Sequence, residues 1–79
     1  MTTYTVTDSE CGLIMATSKK GRAIMTAAIN ACKNGATTAE TDSKMLEIRL
    51  AMLQAKKTND GMIFVQGADS ELTIEVWND

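Results

Sequence analysis

The sequence predicts an α+β fold, a small antiparallel sheet of four strands in the order ββααββ, packed on one face by two helices. Three observations carry this. Residues alternate with period two near both ends of the chain, apolar stripes of helical period fill the middle, and clusters of Gly, Asn and Asp separate these segments. With 79 residues and no repeat, low-complexity tract or linker, residues 1–79 read as a single domain with room for one core.

The first strand is read at residues 3–7, where Thr3, Thr5 and Thr7 alternate with Tyr4 and Val6. The next segment supports two readings. Asp8-Ser9-Glu10-Cys11-Gly12 reads as a hairpin loop with Gly12 at positive φ, which makes Leu13–Thr17 a second strand. The rival is a helix from a Thr7-x-x-Glu10 capping box to a Lys19-Lys20-Gly21 stop, giving βαααββ with three strands. Gly12, Thr17 and Ser18 are poor residues for a helix interior, which favours the hairpin.

From Arg22 to Lys33 the period is helical. Ile24, Ala28 and Ala31 line one stripe, Met25, Ile29 and Cys32 the next, and Asn34-Gly35 ends the segment. A second helix starts at Thr37, where Thr37-x-x-Glu40 is a further capping box, or at Ser43. It runs to Lys57, where Lys56 and Lys57 suit the negative end of the helix dipole, and Asn59-Asp60-Gly61 turns the chain. The last twenty residues read as a β-hairpin, Met62–Gln66 and Glu71–Trp77, around Gly67-Ala68-Asp69-Ser70.

Composition excludes several kinds of chemistry. The absence of His removes Ser/His/Asp and Cys/His nucleophile systems together with the commonest metal ligand. Two cysteines without His cannot close a four-ligand zinc site in one chain, so neither metal nor cofactor is expected. Phosphate-binding glycine loops, zinc-protease and calcium-loop motifs are missing. Glu71 and Glu75 are imaginable as paired catalytic carboxylates, but they lie about 13 Å apart on one strand face. The reading is therefore non-enzymatic. No basic, apolar leader opens the chain, and its longest unbroken apolar stretches are four residues, which favours a cytoplasmic protein without a membrane partner. Cys11 and Cys32 are then expected as free thiols acting as small buried hydrophobes.

Two surfaces carry more apolar area than one core needs. On the second helix Met45, Ile48, Met52 and Ala55 cluster on one side, with Leu46, Leu50 and Leu53 roughly 100° away and Arg49 between. Either one stripe meets the sheet and the other the first helix, with the Arg49 stem bridging them, or one stripe meets another molecule. The hairpin raises the same question by parity. A two- or four-residue loop pairs Val65 with Leu72 and Ile63 with Ile74, leaving Phe64, Met62 and Trp77 together on the outer face.

Charge is unevenly distributed. Residues 11–58 carry a net of plus five and residues 59–79 a net of minus five, so basic helical ground adjoins an acidic hairpin. The expected function is that of a small binding protein, an inhibitor, adaptor or regulatory subunit of the kind common among phage and mobile-element proteins. It would engage a larger protein partner through Trp77, Phe64 and Met62, with Glu71 and Glu75 as an acidic rim. A homodimer through the second helix or the outer sheet face is an overlapping reading. The alternative is an anion or nucleic-acid module using Lys19, Lys20 and Arg22 at a helix start, disfavoured by the acidic overall balance.

Overall fold

Period-two segments at both ends become the four strands of one sheet, and the two helical stripes lie between them in sequence. In the computed structural model, which describes residues 1–57 and 61–78, the order is β1 (Thr2–Asp8), β2 (Gly12–Thr17), α1 (Lys20–Ala31), α2 (Thr38–Lys57), β3 (Met62–Gln66) and β4 (Glu71–Asn78). The sheet is antiparallel with spatial order β2-β1-β4-β3, so the chain's two hairpins join through β1 and β4. The expected Asn59-Asp60-Gly61 turn lies in part outside the described residues, as do the side chains of Lys56 and Lys57.

Residues 8–12 form the hairpin and not the rival helix. The Asp8 carboxylate accepts the backbone N–H of Glu10 at 2.8 Å and of Cys11 at 3.3 Å, and Gly12 takes φ +87°. Thr7 and Asp8 remain in the ladder, paired with Leu13 and Gly12 on β2 and with Thr73 and Leu72 on β4, so no helix starts there. Cys11 is exposed on this turn and Cys32 is half-buried, so neither is the buried hydrophobe that composition suggested; both are free thiols. A residue on a three-residue hairpin loop has no layer to bury against.

The core lies between the sheet's inner face and the helices. Val6, Leu72, Ile74, Ile63 and Val65 meet Ala23, Ile24, Ala27, Ala28, Ala31, Ile48 and Met52, with Tyr4, Ile14, Met45, Ala51, Ala55 and Val76 packed at its margins. Four alanines let the α1 backbone approach the sheet closely, and this one helix touches all four strands. Side α2 lies in the notch between α1 and β3 and touches nothing else among the described elements.

Helix boundaries show where local rules and tertiary contacts compete. The Thr37 capping box forms as drawn: Thr37 Oγ1 accepts the Glu40 N–H at 3.2 Å, and Glu40 Oε1 accepts the Thr37 N–H at 3.2 Å. By contrast α1 ends at Ala31, short of the expected Lys33, with Cys32 extended at ψ 148°. The reason is distant in sequence. Ala68, on the loop between β3 and β4, donates its N–H to the Ala31 carbonyl at 2.9 Å and takes up a helix-end acceptor. That loop approaches so closely that a Cβ on Gly67 would lie 3.6 Å from the Ala31 Cα and collide with the Ser70 carbonyl.

Candidate interaction surface

Among the described residues no helix covers the outer face of the sheet, and the register determines what it displays. Val65 pairs with Leu72 and Ile63 with Ile74 on the buried side, so Met62 faces Glu75, Phe64 faces Thr73 and Gln66 faces Glu71 on the open side. Across β1, Thr3, Thr5 and Thr7 pair with Trp77, Glu75 and Thr73. All five residues expected at a partner surface, Met62, Phe64, Glu71, Glu75 and Trp77, thus belong to one face. Their aromatic and thioether groups are open: Phe64 is 61% exposed, Trp77 52% and Met62 38%.

Trp77 does not fold over a sheet edge. Its indole Nε1–H donates to Thr5 Oγ1 at 3.2 Å, which lays the ring across β1 in the middle of the face. The hydrogen bond fixes the polar edge of the ring and leaves its apolar body open, an arrangement suited to an anchor. The threonines form a polar floor between Phe64 on one strand edge and Leu13 on the other.

Leu13 is the residue that sequence reasoning missed. It is 65% exposed and sits opposite Thr7 on the same open face. A register shift between Val6 and Thr7 inserts Ile14 as an extra residue on β2, so Ile14 and Met15 both turn toward the helices while Leu13 turns out. Alternation alone carries no sign of such a bulge.

At the far end of this face two loops are stitched together. Ser70 Oγ donates to Asp8 Oδ2 at 2.9 Å, and Ser9 exchanges backbone and side-chain hydrogen bonds with Glu71 at 2.9 and 3.1 Å. The Glu10 N–H, then the Ser70 hydroxyl and the Cys11 N–H, hold the Asp8 carboxyl below its usual range. The acidic hairpin is therefore a fixed rim, with Glu71 exposed and Glu75 half-buried beside Met62.

Lys19, Lys20 and Arg22 are exposed at the start of α1, whose first turn contains no acidic residue. They do not converge. At about 100° per residue Lys20 and Arg22 point some 160° apart around the axis, so the three cations surround the helix end and do not line one pocket. A shallow depression of 330 Å³ lies elsewhere, bordered by Cys32, Lys33, Glu40, Lys44 and Gln66. Among the described residues no cluster of three His, Cys, Asp or Glu side chains is arranged to hold a metal ion, and no helix is long and apolar enough to cross a membrane.

The reading in which both apolar stripes of α2 pack against the sheet and α1 does not hold. Leu46, Leu50 and Leu53 belong neither to the core nor to its margins and are 54–59% exposed. Ala51 and Lys44 also turn inward, so the buried sector centres on Ile48 and the leucines lie roughly opposite it. Arg49 is exposed and bridges nothing between two packed stripes.

In comparisons with known proteins, no family model, curated protein or solved structure significantly matches this chain.

Proposed function

We propose that this chain is a small non-enzymatic binding protein, an inhibitor, adaptor or regulatory subunit, that acts by seating the open face of its sheet on a larger protein. The observation that carries this reading is the exposure of Phe64, Trp77 and Met62 on a face that no described element covers. Large apolar groups left in water cost solubility, and clustered on one rigid face they are characteristic of a contact surface. The polar floor and acidic rim supply the complement: Glu71 and Glu75 favour a partner whose apolar pocket is ringed by Lys or Arg.

Affinity capture with the wild-type chain, followed by binding measurements on the purified prey, tests this. Trp77→Ala and Phe64→Ala should each weaken binding by about 30-fold or more, as central anchors do. Glu71→Gln with Glu75→Gln should chiefly slow association and flatten its salt dependence. Equal binding by wild type, Trp77→Ala and Phe64→Ala would remove the open face from the interaction.

A further inference from the structure

We propose that the partner seated on the open sheet face supplies an arginine, whose guanidinium lies on the Trp77 indole and pairs with the Glu75 carboxylate. This rests on the reading of that face as the contact surface, and adds to it the chemistry of one side chain on the other molecule.

The position of Glu75 carries the proposal. In the sheet order β2-β1-β4-β3 it lies on an inner strand, with Thr5 of β1 directly opposite on one side and Met62 of β3 on the other. Neighbouring strands are about 4.8 Å apart, and Thr73 and Trp77 stand about 7 Å away along β4. Glu75 is thus half-buried in the middle of the apolar groups that the face displays. Its carboxylate has no hydrogen-bond or ion-pair partner among the described residues, and water solvates it in the free chain. Glu71 stands differently. It is exposed at the start of the strand beside Gln66, about 13 Å from Glu75, at the end of the face where solvent still reaches it.

A partner that covers Trp77 and Phe64 also covers Glu75, which lies between them on the face. Removing water from an ionised carboxylate without supplying a counter-charge is costly, so a stable complex requires a cation at this point. Among its described residues the chain supplies none. Its eight Lys and Arg residues fall between positions 19 and 57, and no strand contains one. The helices that carry most of them pack on the inner face of the sheet.

The indole selects the kind of cation. Its Nε1–H donates to Thr5 Oγ1 at 3.2 Å, and Thr5 is the residue opposite Glu75, so the ring is tethered beside the carboxylate's strand position. A ring laid across β1 turns one π face to the threonines and the other to solvent, in keeping with its 52% exposure. An ammonium is a compact and strongly hydrated charge. A guanidinium is flat and weakly hydrated, and it stacks on an indole while its fork of N–H donors grips a carboxylate at the side. Beyond the long-range steering to which both carboxylates contribute, Glu75 therefore acts by direct contact. Met62 and Phe64 stand on the β3 side of Glu75, so the arginine is expected next to an apolar side chain of the partner.

A random displayed peptide library selected on the full chain tests the proposal. Peptides whose binding is lost with Trp77→Ala should share an arginine beside an apolar residue. Calorimetry of synthetic copies on the wild-type chain gives a readout independent of variant folding. Binding should weaken about 30-fold or more when that arginine becomes citrulline, its neutral counterpart, and about 10-fold when it becomes lysine. With Glu75→Gln the arginine and citrulline peptides should bind within about 3-fold of each other, while Glu71→Gln should preserve the difference. Trp77-dependent peptides without arginine, citrulline or lysine equal to arginine on the wild type, or a preference that survives Glu75→Gln would overturn the arginine and leave the contact face standing. Peptides that bind equally to wild type, Trp77→Ala and Phe64→Ala, or a library with no Trp77-dependent member, would remove the face and the arginine with it.

Discussion

The two helices are neighbours in sequence and in space, yet they use apolar residues in opposite ways. Helix α1 buries Ala23, Ile24, Ala27, Ala28 and Ala31, mostly single methyl groups, and touches every strand. Helix α2 is longer and richer in leucine, but among its described side chains only Ile48 and Met52 are fully buried while Leu46, Leu50 and Leu53 stay open. Side-chain size does not measure contribution to this core. Close approach does, because dispersion contacts and excluded water depend on how many atoms meet and not on how many are available. In α1 the small residues bring the backbone in. In α2 the leucines face away.

The strongest way to break this contrast is truncation inside the sealed helix. Ile24→Ala is expected to destabilise the fold by about 3 kcal/mol, read from the midpoint of denaturant unfolding, because the 2%-exposed side chain leaves a cavity against the sheet. Enlargement at the same interface should be nearly as harmful. Ala27→Leu adds three carbons where exposure is zero and should cost about 2 kcal/mol by forcing α1 off the strands.

The helix starts sharpen the comparison at lower amplitude. Thr37→Ala removes the acceptor of the Glu40 N–H and should cost about 1 kcal/mol, seen as fraying of α2 in hydrogen exchange, with α1 unaffected. Acid should act at the same place. The Thr37 amide and hydroxyl hold the Glu40 carboxyl below its ordinary value of 4.5, with Lys33 adding to the shift. A lowered folded value means the stabilisation is complete above pH 4.5 and is lost as pH falls through the folded value. Asp8 behaves likewise below 3.8. Amide exchange followed from pH 6 downward should show α2 fraying at Glu40 and the β1–β2 turn loosening, while the start of α1, with no acid in its first turn, holds. The smallest effect is expected on the open row: Leu53→Ala in dilute solution should shift stability by no more than about 0.5 kcal/mol. A loss near that of Ile24→Ala would mean that the leucine row is sealed within the single chain.

Local chemistry made much of this legible. Gly12, Thr17 and Ser18 favour the hairpin over the rival helix without excluding it, Thr37 and Glu40 offer one of two helix starts, and the parity of the last hairpin places Met62, Phe64 and Trp77 on one face before any coordinate is known. These features rest on neighbours within four residues or on one strand pair. The points that escaped depend on partners far along the chain. Helix α1 stops at Ala31 because Ala68 reaches its carbonyl, Leu13 faces out because β2 carries a bulge against β1, and Cys11 is exposed because its loop has no layer above it.

Sequence by itself narrowed the element order to ββααββ or βαααββ, and determined the alternation that divides the terminal strands into an inner and an outer side and the excess of apolar side chains over core positions. Only the tertiary structure decided which of those side chains stay in water. Placement of α2 in the notch between α1 and β3 turns the Ile48 sector inward and the leucines outward, and a helical wheel records angles between residues without recording where the neighbouring layers lie.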